Sequence, residues 1–90
     1  MKIYWYEGSK NIIGPQVKRL WKSHKWTQKV LAEKLQLLGY DFNDLTVLRI
    51  ERGDRFVADY EIKALSEVFR IPVETLFEPA PETDSSQEAR

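Results

Sequence analysis

The sequence predicts an all-α fold: five short helices around one core over residues 11–77, preceded by an aromatic arm (1–10) and followed by a disordered acidic tail (78–90). Three observations carry this expectation. Apolar residues recur three to four positions apart in successive stretches, the period of a helix that buries one face. A capping residue preceded by an aromatic side chain and followed by an apolar fourth helical position occurs twice, around Thr27 and Asn43, which is the pattern of a stapled helix start. Pro15, Gly39, Gly53 and Pro72 punctuate the stretches where a helix starts or stops.

In chain order, Ile3, Tyr4, Trp5 and Tyr6 form a β-prone aromatic run that Gly8 and Ser9 break. The run reads as an arm laid on the domain or on a twin subunit. A minor-groove arm is the alternative, although such arms use arginine and the positive charges here are Lys2 and Lys10. Asn11 caps a first helix, or Gly14 and Pro15 begin it. Its Ile13, Val17 and Leu20 face inward, while Lys18, Arg19, Lys22 and Lys25 face water. His24, at the end of that helix, reads as a dipole-favoured surface group. Trp26 is expected in the core, stapling the Thr27 cap through Leu31, with Leu31, Ala32 and Leu35 as the buried face of the second helix.

Leu37 and Leu38 extend the second helix by a turn before Gly39 ends it in a left-handed conformation. Tyr40 and Phe42 pin the following bend. A third helix runs from Asp44 to about Arg52, with Val47 and Ile50 inside and Gly53 and Asp54 as its exit turn. Val57 points inward, and Asp59 is expected to cap a fourth helix with Ile62, Leu65, Val68 and Phe69 facing the core. Pro72 opens a last short helix, in which Leu76 and Phe77 close the base. From Glu78 onward, prolines, serines and scattered acids bury too little to order the chain.

Ninety residues with 42% hydrophobic content allow one small domain with one core. With no cysteine and one histidine, neither a disulfide framework nor a zinc site is expected, and no metal or cofactor. The composition suits a reducing cytoplasm. No segment reaches the roughly 18 apolar residues of a membrane span, and the start lacks a signal-peptide pattern, so no membrane partner is expected. The acids are scattered and there is no phosphate loop or nucleophile motif, so the chain is not read as an enzyme. Basic and acidic residues balance at fourteen each, but unevenly: residues 1–40 hold eight basic and two acidic groups, 41–77 five and eight, and 78–90 one and four. A modest basic face is therefore open to the domain.

Two stapled helices close in sequence suggest a helix-turn-helix. Thr27, Gln28, Leu31, Ala32 and Leu35, followed by Thr46, Val47, Ile50, Glu51 and Gly53, resemble the helix-turn-helix domain of the phage repressor and Cro family, the xenobiotic-response-element (XRE) type. The resemblance spans roughly residues 11–77. It departs from the family in two places. Residues 36–42 make a longer turn, and Trp21 stands where the family often has an arginine that pairs with the glutamate matching Glu51.

The resemblance implies a cytoplasmic, repressor-like regulator of transcription that binds double-stranded DNA, commonly as a homodimer, with residues 44–52 as recognition helix. Asp44, Leu45 and Arg49 match base-reading positions, and Asn43 and Arg52 match backbone-contacting ones. From the residues themselves, the helix starting after Thr27 directs free N–H groups at a phosphate, with Gln28 as a further donor and Lys29 as a backbone-attracting charge. Arg49 suits guanine O6 and N7, Asp44 cytosine N4, and Leu45 a thymine methyl. The alternative is a helix-turn-helix that acts as a protein-interaction module, such as an antitoxin, in which Leu45 and Leu48 or the N-terminal arm meet a protein partner. Arg49 is equally open as a partner of Asp44 or Glu51, and Lys18 and Arg55 are further candidates for Glu51.

Overall fold

Two of the helices begin where a side chain satisfies a first-turn N–H group that has no partner inside the helix. A computed structural model of the chain describes residues 8–79, which form five helices and no β-strand. These are α1 (Gly14–Ser23), α2 (Gln28–Leu37), α3 (Asp44–Arg52), α4 (Asp59–Phe69) and α5 (Val73–Leu76). The fold is all-α. The arm's aromatic run and the tail from residue 80 lie outside the described residues. Among the described residues no helix is long and apolar enough to cross a membrane.

Of the two readings of the first helix start, Gly14 with Pro15 holds: Ile13 occupies the cap position, and Asn11 reaches the start from two residues before it. Pro15 sits in the first turn of α1, and the Asn11 carboxamide oxygen accepts from the N–H groups of Ile13 and Gly14 at 3.1 and 2.9 Å. The Asn11 amide nitrogen in turn donates to the carbonyls of Ile50 and Arg55 at 3.1 and 2.9 Å. One side chain therefore accepts from the first N–H of α1 and ties that helix to the end of α3. Gly14 permits the approach: a Cβ there would collide with the Ile50 carbonyl oxygen and lie 3.0 Å from that of Glu51.

Thr27 caps α2 by accepting from the Val30 N–H, and Asn43 with Thr46 forms a reciprocal capping box on α3. Gly53 ends α3 at φ +77, the left-handed geometry for which glycine is the cheapest residue. Between α2 and α3, the long turn is anchored rather than slack. Gly39 adopts φ +95, the Gln36 amide donates to the Phe42 carbonyl, Phe42 is buried, and Tyr40 stacks on Tyr60 of α4 at 6.2 Å.

The core joins Ile13, Val17 and Leu20 of α1, Leu31, Ala32 and Leu35 of α2, Phe42, Val47 and Ile50, Ala64, Leu65 and Phe69 of α4, and Leu76 of α5. Val57, Ile62 and Val68 are half-buried against it. Gln16 is buried with its amide donating to the Thr75 carbonyl at 2.8 Å, which fastens α5 to α1.

Three expectations fail. Asp59 is the first residue of α4, not its cap. Ala58 holds that position, and the Glu61 carboxylate accepts from its N–H at 3.0 Å, so the third helical residue caps in reverse. Phe77 follows α5 and is 45% exposed, because a helix of four residues buries Leu76 and turns its neighbour outward. Trp26 is half-buried at the edge of the core. The chain leaves α1 through a left-handed Lys25 at φ +61, which brings Trp26 out beside α2. His24 stacks on it at 4.4 Å, and the Lys34 ammonium lies 4.7 Å from its ring centroid.

Candidate nucleic-acid interface

α3 has two faces. Val47 and Ile50 are buried, while Asp44, Leu45, Arg49 and Arg52 are exposed and Leu48 is half-buried. Spacings of three and four along Asp44, Leu48 and Arg52, and along Leu45, Arg49 and Arg52, put these side chains on the outward stripe, opposite the core. The cap at Asn43 and the left-handed stop at Gly53 make the stripe a rigid rod of nine residues with fixed ends. Asn43 is exposed but its side-chain oxygen is committed to Thr46, and Asp44 accepts from the Leu45 N–H at 3.0 Å.

At the start of α2, Thr27 and Lys29 are exposed. Lys29 meets Asn43 and Asp44 across a recess of about 310 Å³ that Glu33 and Gln36 also line. The predicted residues of the second helix and of the third helix's start are thus neighbours in space. Gln28 behaves differently from the phosphate donor expected of it. It is half-buried, and its amide donates to Glu51 Oε1 at 3.0 Å.

Glu51 is the hub of this arrangement. Its Oε2 accepts from the Trp21 indole N–H at 2.5 Å while Oε1 accepts from Gln28. One carboxylate therefore links the last turn of α1, the first turn of α2 and the end of α3. The partners expected for it, Lys18, Arg49 or Arg55, are replaced by two neutral donors. Trp21 reaches Glu51 with a single neutral indole N–H. Arg52, next in sequence, is left exposed beside the clasp.

Arg55 is held elsewhere. Its guanidinium makes a two-pronged pair with Glu61, both contacts at 2.9 Å, and lies 5.2 Å from the Phe42 ring centroid. Through this pair the exit of α3 is fixed to the start of α4. The hydrogen bond from Arg55 is the main cause that holds the Glu61 carboxyl below its ordinary range. Burial opposes it, and the Ala58 N–H and the guanidinium charge assist. The same bond raises the Arg55 pKa.

Thr27, Lys29, Asn43, Asp44, Leu45, Arg49 and Arg52 therefore reach the surface on α2 and α3, and Gln28 serves as their brace. Sequence reading did not find the close approach at Gly14, the role of Gln16 or the Arg55–Glu61 pair. The only available signal was a helical glycine ahead of a proline, since side chains that meet across helices leave no periodic trace. Among the described residues no group of three or more histidine, aspartate or glutamate side chains could hold a metal ion. No protein-family model, curated protein or solved structure matches the chain.

Proposed function

We propose that the chain binds duplex DNA sequence-specifically as a repressor-like regulator, with α3 in the major groove and the first turn of α2 on the phosphate backbone. The reading is supported most by one observation: Arg49 and Arg52 share the outward stripe of α3, and the Glu51 clasp to Gln28 sets the start of α2 beside that helix. An α-helix with a polar outward stripe is what the major groove admits. The first N–H groups of α2 and the charges of Lys29 and Arg52 attract phosphates without regard to sequence. Arg49 reads guanine, Asp44 accepts from cytosine N4, and Leu45, 47% exposed, covers a thymine methyl.

A second reading draws on Leu45 as well. A half-exposed leucine beside half-buried Leu48 also suits a protein contact, as in an interaction module of the antitoxin kind.

The experiment selects bound duplexes from a random pool, then measures competition at fixed salt with site variants changed one pair at a time. Arg49→Ala is expected to lose about 1 to 3 kcal/mol on the preferred site and to relax preference at one position, whereas Lys29→Ala and Arg52→Ala weaken all duplexes alike. Half-sites repeated with two-fold symmetry would mark a homodimer. Identical preferences for wild type and Arg49→Ala remove Arg49 as a reader. No duplex binding at low salt, where phosphate attraction is strongest, removes the DNA reading and leaves the interaction module.

A further inference from the structure

α2 has a second exposed flank. At about 100° per residue, Lys34 and Leu38 lie on the opposite side of this helix from Lys29, Glu33 and Gln36. There the ends of α2 and α4 enclose an open groove of about 540 Å³. Trp26, Leu38, Val68 and Phe69 supply its apolar lining, and Leu37 stands at its margin 87% exposed, the most of any large hydrophobic side chain among the described residues. An isolated surface leucine needs no explanation, but a leucine pair continuous with a half-buried tryptophan and an apolar groove marks an interaction surface.

The charges on this groove have a sign. Lys34 and Arg70 line it against one acid, Glu67. The Lys34 ammonium rests over the Trp26 ring at 4.7 Å, which holds the cation at the groove while leaving its N–H groups free to turn outward. Arg70 ends α4 in a left-handed conformation at φ +58, and Lys25, between the groove residues His24 and Trp26, does the same for the exit of α1 at φ +61. Glycine adopts that conformation at lower cost. At the exit of α4 the chain instead carries a long cationic side chain that lines the groove.

We propose that this groove docks an acidic amphipathic helix of a partner protein. The lining consists of side chains from α2, α4 and the residues after α1, and the described residues contain no β-strand whose edge could pair with an extended peptide. A ligand that satisfies its own backbone and offers apolar side chains at helical spacing therefore fits this surface. Large apolar residues at i, i+3 or i+4, and i+7 cover Leu37, Leu38 and Val68, and aspartates or glutamates on the flanking positions meet Lys34 and Arg70. The groove shares no residue with the outward stripe of α3, so this proposal stands or falls independently of the DNA reading.

The test selects displayed random peptides of about 16 residues, enough for some four helical turns, on the full chain, and measures synthetic copies of the enriched peptides by fluorescence anisotropy. Enriched sequences are expected to be acidic with apolar residues at helical spacing. Leu37→Asp is expected to weaken them at least about tenfold, and Lys34→Glu with Arg70→Glu to weaken them while improving copies whose acids are replaced by lysine. Leu37 is exposed, so Leu37→Asp keeps the fold, verified by an unchanged helical signal and a still cooperative melting transition whose midpoint falls only slightly, since an acid in the last turn opposes the helix dipole. Any DNA affinity should be unchanged in this variant. Four results would overturn the proposal: no enrichment, enrichment of basic peptides, peptides that bind Leu37→Asp as tightly as wild type, or a self-association of the wild type that Leu37→Asp abolishes. The last would give the groove to a second copy of this chain.

Discussion

Replacing Trp21 with phenylalanine keeps an aromatic ring against the core edge and removes the indole N–H that reaches Glu51 at 2.5 Å. A hydrogen bond to a charged group contributes about 1.5 to 3 kcal/mol. The clasp is half-buried, so water can replace part of the lost contact and the lower end applies. The smaller ring adds about 0.5 kcal/mol of lost burial, for a total near 2 kcal/mol. In a domain of this size that lowers the melting temperature by roughly 8 to 16 °C. Urea unfolding followed by far-UV circular dichroism reads the change without relying on tryptophan emission. A double-mutant cycle with Glu51→Ala isolates the bond: Trp21→Phe should cost at least about 1 kcal/mol less when Glu51 is already gone. Additivity within about 0.3 kcal/mol would refute the Trp21–Glu51 bond as the contact that joins α1 to the end of α3.

Gly14→Ala improves helix propensity by at most about 1 kcal/mol, but its Cβ meets backbone atoms of Ile50 and Glu51 that cannot swing aside. Overpacking of about 1 to 3 kcal/mol should win, and a raised urea midpoint would disprove the close approach of α1 to α3. Glu61→Gln breaks the two-pronged pair with Arg55 and should cost about 1.5 to 3 kcal/mol at neutral pH. Because the folded carboxyl titrates below its ordinary 4.5, the wild-type advantage should be complete above that value and shrink as pH falls through the lowered one; an advantage independent of pH down to the acid limit would contradict the pairing. Trp26→Ala should lose about 2 kcal/mol, less than a fully buried aromatic, and a loss above about 4 kcal/mol by urea titration would return this ring to the core.

Much of the fold is local, and local features are legible. The caps at Thr27 and Asn43, the left-handed stops at Gly39 and Gly53, and the buried stripes of α1, α2 and α3 each follow from residues within a few positions of one another. The misreadings lie where two readings were locally equal. Asp59 and Ala58 both precede the apolar stripe of α4, and only the reach of Glu61 back to Ala58 separates them. Trp26 satisfies the staple pattern, yet the left-handed Lys25 before it sets its direction. The exposure of Asp44, Leu45 and Arg49 was readable because they are the complement of the stripe made by Val47 and Ile50. Gln28 was not, because its role depends on a carboxylate 23 positions away.

The sequence by itself determined five helices, the starts of α2 and α3, the stop of α3 at Gly53 and the buried sides of α1, α2 and α3, because capping, glycine geometry and apolar period act over a single turn or two. Only the tertiary structure decided how the helices are joined. Asn11 bonds to Ile50 and Arg55, Gly14 lies against the α3 backbone, Arg55 pairs with Glu61, and Glu51 receives donors from Trp21 and Gln28. These contacts bring together side chains from separate helices, whose distances depend on how the core packs, and no spacing along the chain encodes that.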